Sequence, residues 1–243
     1  MQPHQIVSQE EWLVARKAHL AKEKELTRLR DRLSAERRAL PWVKVEKAYV
    51  FDGPNGKETL TELFDGRSQL LVYHFMFGPG WEEGCRSCSY LADHIDGANL
   101  HLPQRDVTLL AVSRAPLAQF EAFKRRMGWR FKWVSSYGND FNQDFHVSFT
   151  KEELANGNVN YNYGMVEGFD ELPGLSAFYK DEKGAVFHTY SAYARGLDML
   201  IGAYNYLDLA PKGRDEAALP WTMAWVRHHD RYEDQPTGTS SAA

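Results

Sequence analysis

The chain of 243 residues carries 29 Lys and Arg against 33 Asp and Glu, a formal charge of −4, and is 43% hydrophobic and 13% aromatic. This is the composition of a folded globular protein and excludes disorder as the dominant state. Its mild acidity excludes a chain-wide basic footprint, so neither nucleic acid nor a membrane surface is expected as a partner. The longest apolar stretch, Leu70 to Phe77, is broken by His74 and falls far short of the roughly 20 residues that span a bilayer. The opening MQPHQIVSQEEW lacks the basic and apolar regions of a signal peptide, and a cytoplasmic location is expected.

In chain order, Ser8-Gln-Glu-Glu11 is a capping box that starts a helix. Leu26, Leu29, Leu33 and Leu40 recur at helical spacing until Pro41 stops the run, as one long amphipathic helix or two shorter ones. Such a helix is either an arm packed on its own domain or an element through which a homodimer forms, although it falls short of a sustained heptad pattern. Val43 to Phe51 reads as a strand, Gly53-Pro-Asn-Gly56 as a turn, Thr59 to Phe64 as a short helical piece and Gln69 to Phe77 as a second strand. Asp106 to Ser113 is a buried-strand run, and Pro116 to Met127 carries Leu117, Phe120 and Phe123 at helical spacing. Phe131 to Phe149 suggests a third strand, followed by an irregular excursion through Asn160 to Tyr163 that is either a binding surface or a long loop with aromatic anchors. Leu175 to Tyr179 and Ala185 to Tyr190 form a hairpin, Gly196 to Leu207 a final helix, and Asp234 to Ala243 a polar tail expected to be disordered. Strands alternating with helices give an α/β sheet. Three segments follow: a helical arm over 1–44, the sheet domain over 45–210 and a C-terminal extension over 211–243.

Cys85 and Cys88 are the chain's two cysteines. A bridge closing so short a loop removes little chain entropy and cannot staple a domain of this size. On a helix, positions i and i+3 share a face about 5–6 Å apart, within reach of a disulfide that opens and closes without moving the backbone. The turn Gly78-Pro-Gly80 before the pair, and Leu91, Ala92 and Ile95 after it, place Cys85 at the cap or first turn of a helix. Free N–H groups there and the charge of Arg86 favour a thiolate, while Glu82 and Glu83 oppose it, so the sign of the net shift stays open. A chemically silent pair and a metal site are the alternatives. Structural zinc needs four ligands, of which this pair supplies two, and His228-His229 are adjacent, about 100° apart on a helix. His74 and His188 are core histidines or, for His74, a proton shuttle.

The order of elements, with the CxxC helix after the second strand, resembles the thioredoxin-like fold. Leu172-Pro173-Gly-Leu-Ser-Ala-Phe-Tyr-Lys180 is similar to the segment in which that fold carries a cis-proline beside the dithiol. Pro173 is then the cis candidate and a docking edge for substrate, or else a trans proline starting an edge strand. More closely, Glu11-Trp-Leu-Val-Ala-Arg-Lys, Leu40-Pro-Trp-Val, His74-Phe-Met-Phe, Gly84-Cys-Arg-Ser-Cys-Ser and His188-Thr-Tyr-Ser resemble a bacterial domain-of-unknown-function family, described as predicted thioredoxin-like dithiol-disulfide oxidoreductases. The resemblance implies an α/β thioredoxin-like fold with a mixed central sheet, a long N-terminal helical extension and a C-terminal extension. It implies a catalytic pair, Cys85 attacking and Cys88 resolving, with Trp81, Gly84, Arg86 and Pro173 toward substrate. No organic cofactor is implied, and the substrate is a protein or small-molecule disulfide or thiol. Thioredoxins place Trp before the first cysteine, where this chain has Gly84, with Trp81 four residues before Cys85. Thr59 to Arg67 also resembles peroxiredoxins, but Glu82 stands where they carry Thr. Copper delivery resembles a CxxxC with a distant His, one residue longer than here. A non-catalytic binding or scaffold protein on the same fold is the rival from another class.

Overall fold

The computed structural model describes residues 4–232, so the expected polar tail from Asp234 lies outside them. The chain divides into two units between Trp42 and Val43. The first is one continuous helix, α1 (Gln9–Arg38). Ser8 Oγ accepts the Glu11 N–H at 3.2 Å and the Glu11 carboxylate accepts the Ser8 N–H at 3.0 Å, the reciprocal capping that the sequence pattern requires.

The second unit comprises β1 (Val43–Lys44), β2 (Val50–Gly53), β3 (Gly56–Thr59), β4 (Gln69–His74), α2 (Arg86–Ala92), α3 (Ile95–Ala98), β5 (Val107–Ser113), α4 (Leu117–Arg126), β6 (Trp133–Ser135), α5 (Phe141–Asp144), α6 (Lys151–Ala155), β7 (Asn158–Tyr161), β8 (Gly164–Glu167), β9 (Gly174–Lys180), β10 (Val186–Tyr193) and α7 (Gly202–Leu207). One mixed sheet runs in the order β1-β10-β9-β4-β5-β6-β2-β3. β4, β5 and β6 are parallel, and β9 lies antiparallel on the other side of β4. This is a thioredoxin-like α/β fold with a mixed central sheet.

Because β4 is paired along both edges, its alternate side chains enter two separate cores. Leu70 and Val72 pack with Leu110, Val112 and Phe141 on one face. Tyr73 and Phe75 pack with Cys88, Leu91, Phe123 and Trp133 on the other. The second face is the one that carries the cysteines.

Local sequence and observed structure part in four places. Val43 to Phe51 is two strands at opposite sides of the sheet, β1 beside β10 and β2 beside β3 and β6. Between them Lys47 Nζ donates to Asp140 and Asp144 at 2.7 Å each, tying the crossing segment to α5. The turn at residues 53–56 closes the β2-β3 hairpin, with Gly56 at φ 119°, so the helical piece shrinks to a 3-10 turn over Glu62–Phe64. The excursion near residue 160 is the β7-β8 hairpin, turned by Asn162 and Tyr163 at φ 51° and 62°. The final helix is broken at Ile201 into a 3-10 turn, Ala194–Leu200, and α7. Gly202 lies where a Cβ would stand 3.0 Å from the His94 ring, so the chain bends as it meets α2 and α3.

The approach to β9 is anchored by a buried carboxylate. Glu171, 2% exposed, accepts from Arg114 Nε at 2.5 Å and Ser148 Oγ at 2.6 Å. Burial pushes its carboxyl pKa up, while Ser148 and Arg114 pull it back. Arg114→Ala, which leaves that carboxylate without its cation, is expected to cost about 2–4 kcal/mol in chemical denaturation, discounted because Arg114 itself is partly exposed. Glu171→Gln removes the charge with it and is expected to cost less.

Candidate active site

The segment after β4 stays bonded to the sheet before turning. Phe75 N–H donates to Val112 at 2.9 Å, Ala115 N–H to Phe77 at 2.9 Å and Cys85 N–H back to Met76 at 3.2 Å. The intervening loop is held by Gln119, whose amide donates to the Trp81 carbonyl at 2.7 Å. At Gly84 an added Cβ would lie 2.6 Å from Phe75 Cε1 and 2.8 Å from Phe123 Cε1. No side chain fits there, so the tryptophan that thioredoxins carry at this position is sterically excluded. Trp81 instead folds over Gly78, its Nε1 2.9 Å from where a Cβ would stand.

Cys85 is the N-cap residue of α2 and half-buried; Cys88 lies within the helix and is buried. The Cys85 thiol is pulled down to about 7 by the Cys88 thiol hydrogen bond, the N–H groups of Cys88 and Ser87 and the charge of Arg86, which outweigh its burial. The opposing influence of Glu83 is blunted because Arg126 and Arg231 engage its carboxylate. Burial and the neighbouring Cys85 charge push Cys88 well above the ordinary thiol value. Tyr73 faces Cys88 from β4 and its hydroxyl hydrogen-bonds toward that sulfur.

A cavity of about 230 Å³ opens beside the pair and brings together Cys85, Cys88, Pro173, Met76, Ile201 and Met223. Trp81, Gly84 and Arg86 are not part of its lining. Every described peptide bond is trans, that of Leu172 to Pro173 included, which corrects the cis assignment for Pro173. Backbone groups on both sides of this bond are held internally: Leu172 N–H donates to Val147 at 2.8 Å, and the Pro173 carbonyl accepts from Tyr161 Oη at 2.6 Å.

His74 projects away from the dithiol, into the opposite core. Its Nε2 meets Ser176 Oγ at 2.9 Å, Ser176 Oγ meets Ser191 Oγ at 2.9 Å, and His188 Nε2 meets Ser191 Oγ at 2.8 Å. Burial pushes His74 down to about 3 and lowers the half-buried His188 as well, so both are neutral at neutral pH. Among the described residues no group of three or more His, Cys, Asp or Glu is placed to hold a metal ion.

Sequence reasoning missed Tyr73, Met223 and the role of His228. Tyr73 is legible in retrospect from strand alternation, being one residue out of phase with His74. His228 is buried, accepts from Arg126 Nη2 on Nδ1 at 3.1 Å and donates from Nε2 to the Gly84 carbonyl at 2.9 Å. It therefore grips the residue preceding Cys85.

The model of a bacterial family described as "protein of unknown function (DUF899)" matches residues 1–232. The chain belongs to this family. A search of curated proteins found no match. Among solved structures, the peroxidoxin BcpB of Mycobacterium tuberculosis is similar at 11% identity and TM-score 0.43, over 66% of this chain and 93% of that one. Peroxiredoxin Q of Xanthomonas campestris is similar at 15% identity and TM-score 0.41, over 66% and 96%. A candidate protein disulfide isomerase of Bacteroides thetaiotaomicron is similar at 16% identity and TM-score 0.38, over 68% and 91%. A likeness this distant carries nothing of those proteins' activity to this chain. Among the described residues no helix is long and apolar enough to cross a membrane.

Proposed function

We propose that this protein is a thiol-disulfide oxidoreductase in which Cys85 attacks and Cys88 resolves. The observation that carries the reading is the opposite tuning of two cysteines one helical turn apart, the half-buried Cys85 drawn down to about 7 and the buried Cys88 pushed up. The thiolate is the nucleophile in exchange, and an attacking thiol works best with a pKa near ambient pH. Cys85 attacks one sulfur of a disulfide and expels the other as a thiolate, leaving a mixed disulfide. Cys88 then gives up its proton, attacks the Cys85 sulfur and expels the second thiolate, so two electrons pass from the dithiol to the substrate. The reducing cytoplasm suits such a pair, because turnover needs an external dithiol to restore it.

Equilibration in thiol redox buffers, followed by alkylation and mass spectrometry, tests the reading. A reversible Cys85–Cys88 bridge is expected, with a midpoint in the range of thioredoxins and glutaredoxins, about −270 to −200 mV. A pair that stays reduced under every oxidising buffer would sink it.

A further inference from the structure

We propose that the dithiol serves small disulfides with an apolar body, and that the chain's own C-terminal strap, residues 214–231, excludes protein disulfides. The inference rests on the exchange reading and names its substrate class.

Two observations carry it. Beside the cysteines the backbone of residues 172–174 is largely engaged within the domain. Leu172 N–H and the Pro173 carbonyl are both spent internally, and Gly174 is already paired with His74 on β4 and Tyr193 on β10. The β-augmentation by which a peptide would dock next to the dithiol would have to displace these internal bonds. The second observation is the cavity, whose lining includes Thr222 and Met223 of the strap.

The strap is fixed from both sides. Toward α7, Glu216 Oε1 accepts from Tyr204 Oη at 2.7 Å, Trp225 Nε1 at 2.7 Å and Met223 N–H at 3.0 Å. Arg214 reaches Asp198 at 2.7 Å and Asp208 at 2.8 Å. Toward the dithiol loop, His228 holds the Gly84 carbonyl and Arg231 pairs with Glu83. Met223 itself is held at φ 67°, in the left-handed region a side chain adopts only when its surroundings impose it.

The space left, about 230 Å³, holds roughly eight water-sized groups at about 30 Å³ each. Met76, Leu91, Leu197, Ile201 and Met223 make it apolar, with Arg195 and Asp198 also in the lining. A short dialkyl disulfide fits this chemistry, its two apolar arms against the walls and its sulfurs against Cys85. Attack breaks the substrate S–S bond and forms the Cys85 mixed disulfide. The first alkanethiolate leaves and takes a proton from water, and closure by Cys88 releases the second.

The test uses the full chain, pre-reduced and free of other thiols, in single turnover with dipropyl disulfide, cystine and insulin, following the Cys85–Cys88 bridge by mass spectrometry. Rates are normalised to those of free dithiothreitol with each disulfide. Dipropyl disulfide is expected to react about tenfold faster than cystine and about a hundredfold faster than insulin, the scale at which pocket contacts discriminate. Met223→Gly, which suits the left-handed backbone and opens the wall, is expected to narrow the gap to insulin by about tenfold. Insulin reacting as fast as dipropyl disulfide in the unaltered protein would overturn the substrate class and leave the exchange reading standing. An unchanged ratio in Met223→Gly would overturn the role of the strap. No reaction with any disulfide, while Cys85 still alkylates, would remove the exchange reading and this inference with it.

Discussion

Replacing Cys85 by Ser is expected to reduce disulfide exchange to background, whereas Cys88→Ser is expected to accumulate mixed disulfides on Cys85. The asymmetry follows from the two environments. Both cysteines line the cavity, but Cys85 is half-buried at the cap while Cys88 is buried within α2 beside Tyr73. The pH dependence has a definite sign. With its pKa pulled down to about 7, Cys85 is mostly thiol in mild acid and mostly thiolate in mild alkali, so iodoacetamide alkylation should rise through pH 7 while Cys88 stays unreactive. The strongest influence lowering Cys85 is the Cys88 thiol; Cys88→Ala removes that donor and should move the midpoint upward, whereas Cys88→Ser retains a hydroxyl and should move it less. Mass spectrometry of the alkylated chain across pH 5 to 10 reads the midpoint in the wild type and in both Cys88 variants. Equal reactivity of the two cysteines, or a wild-type midpoint at the ordinary thiol value, would contradict the assignment. The linkage to stability runs in opposite directions. The depressed Cys85 favours the folded state above its unfolded pKa and loses that contribution as pH falls through about 7. The raised Cys88 favours the folded state below its unfolded value and loses that contribution in strong alkali.

Gly84→Ala is expected to destabilise the protein by about 1–3 kcal/mol, the usual cost of forcing a methyl into a filled core, and to disturb Cys85 as well. The new Cβ would meet Phe75 and Phe123 at 2.6 and 2.8 Å, and neither ring has room to retreat. Phe75 packs on Trp133 with ring centroids 4.6 Å apart, and Phe123 is covered by His228 at 5.1 Å. Relief must come from the backbone of residue 84, whose carbonyl is bound to His228 and whose neighbour is the attacking cysteine. A lower denaturation midpoint together with altered Cys85 alkylation is the expected result. An unchanged midpoint would mean that the packing tolerates a side chain there. Gly84→Trp, which would restore the thioredoxin residue, is expected not to fold.

Features written in local sequence were legible from it. The capping box at Ser8, the apolar run of β5, the hairpin of β9 and β10 and the spacing of α4 each depend on residues a few positions apart, and each is found close to its expected bounds, the largest difference being three residues at the end of β10. The dithiol was visible because its geometry is local to one turn. Features decided by distant partners were not. Val43 to Phe51 carries a plausible strand pattern, yet its two halves join different neighbours, β10 and the β3-β6 side, with Lys47 between them bonded to Asp140 and Asp144. Pro173 has the sequence setting of a cis-proline, but the bonds of Leu172 to Val147 and Pro173 to Tyr161 accommodate a trans bond. The strap has no periodicity at all, being held by single side chains such as Glu216 and His228, and no local pattern announces it.

The bond from His228 to the Gly84 carbonyl joins residues 144 positions apart. Contacts of such separation are entropically the slowest to form, because the intervening chain must be ordered before they are rewarded. α2 can associate first with β4 and β5, whose pairs such as Gln69 and Val107 lie far closer in sequence, and the strap docks later over Cys85. In a refolding experiment, protection of Cys85 from a bulky thiol reagent should therefore lag behind the pairing of β4 with β5, timing the arrival of the strap at the site.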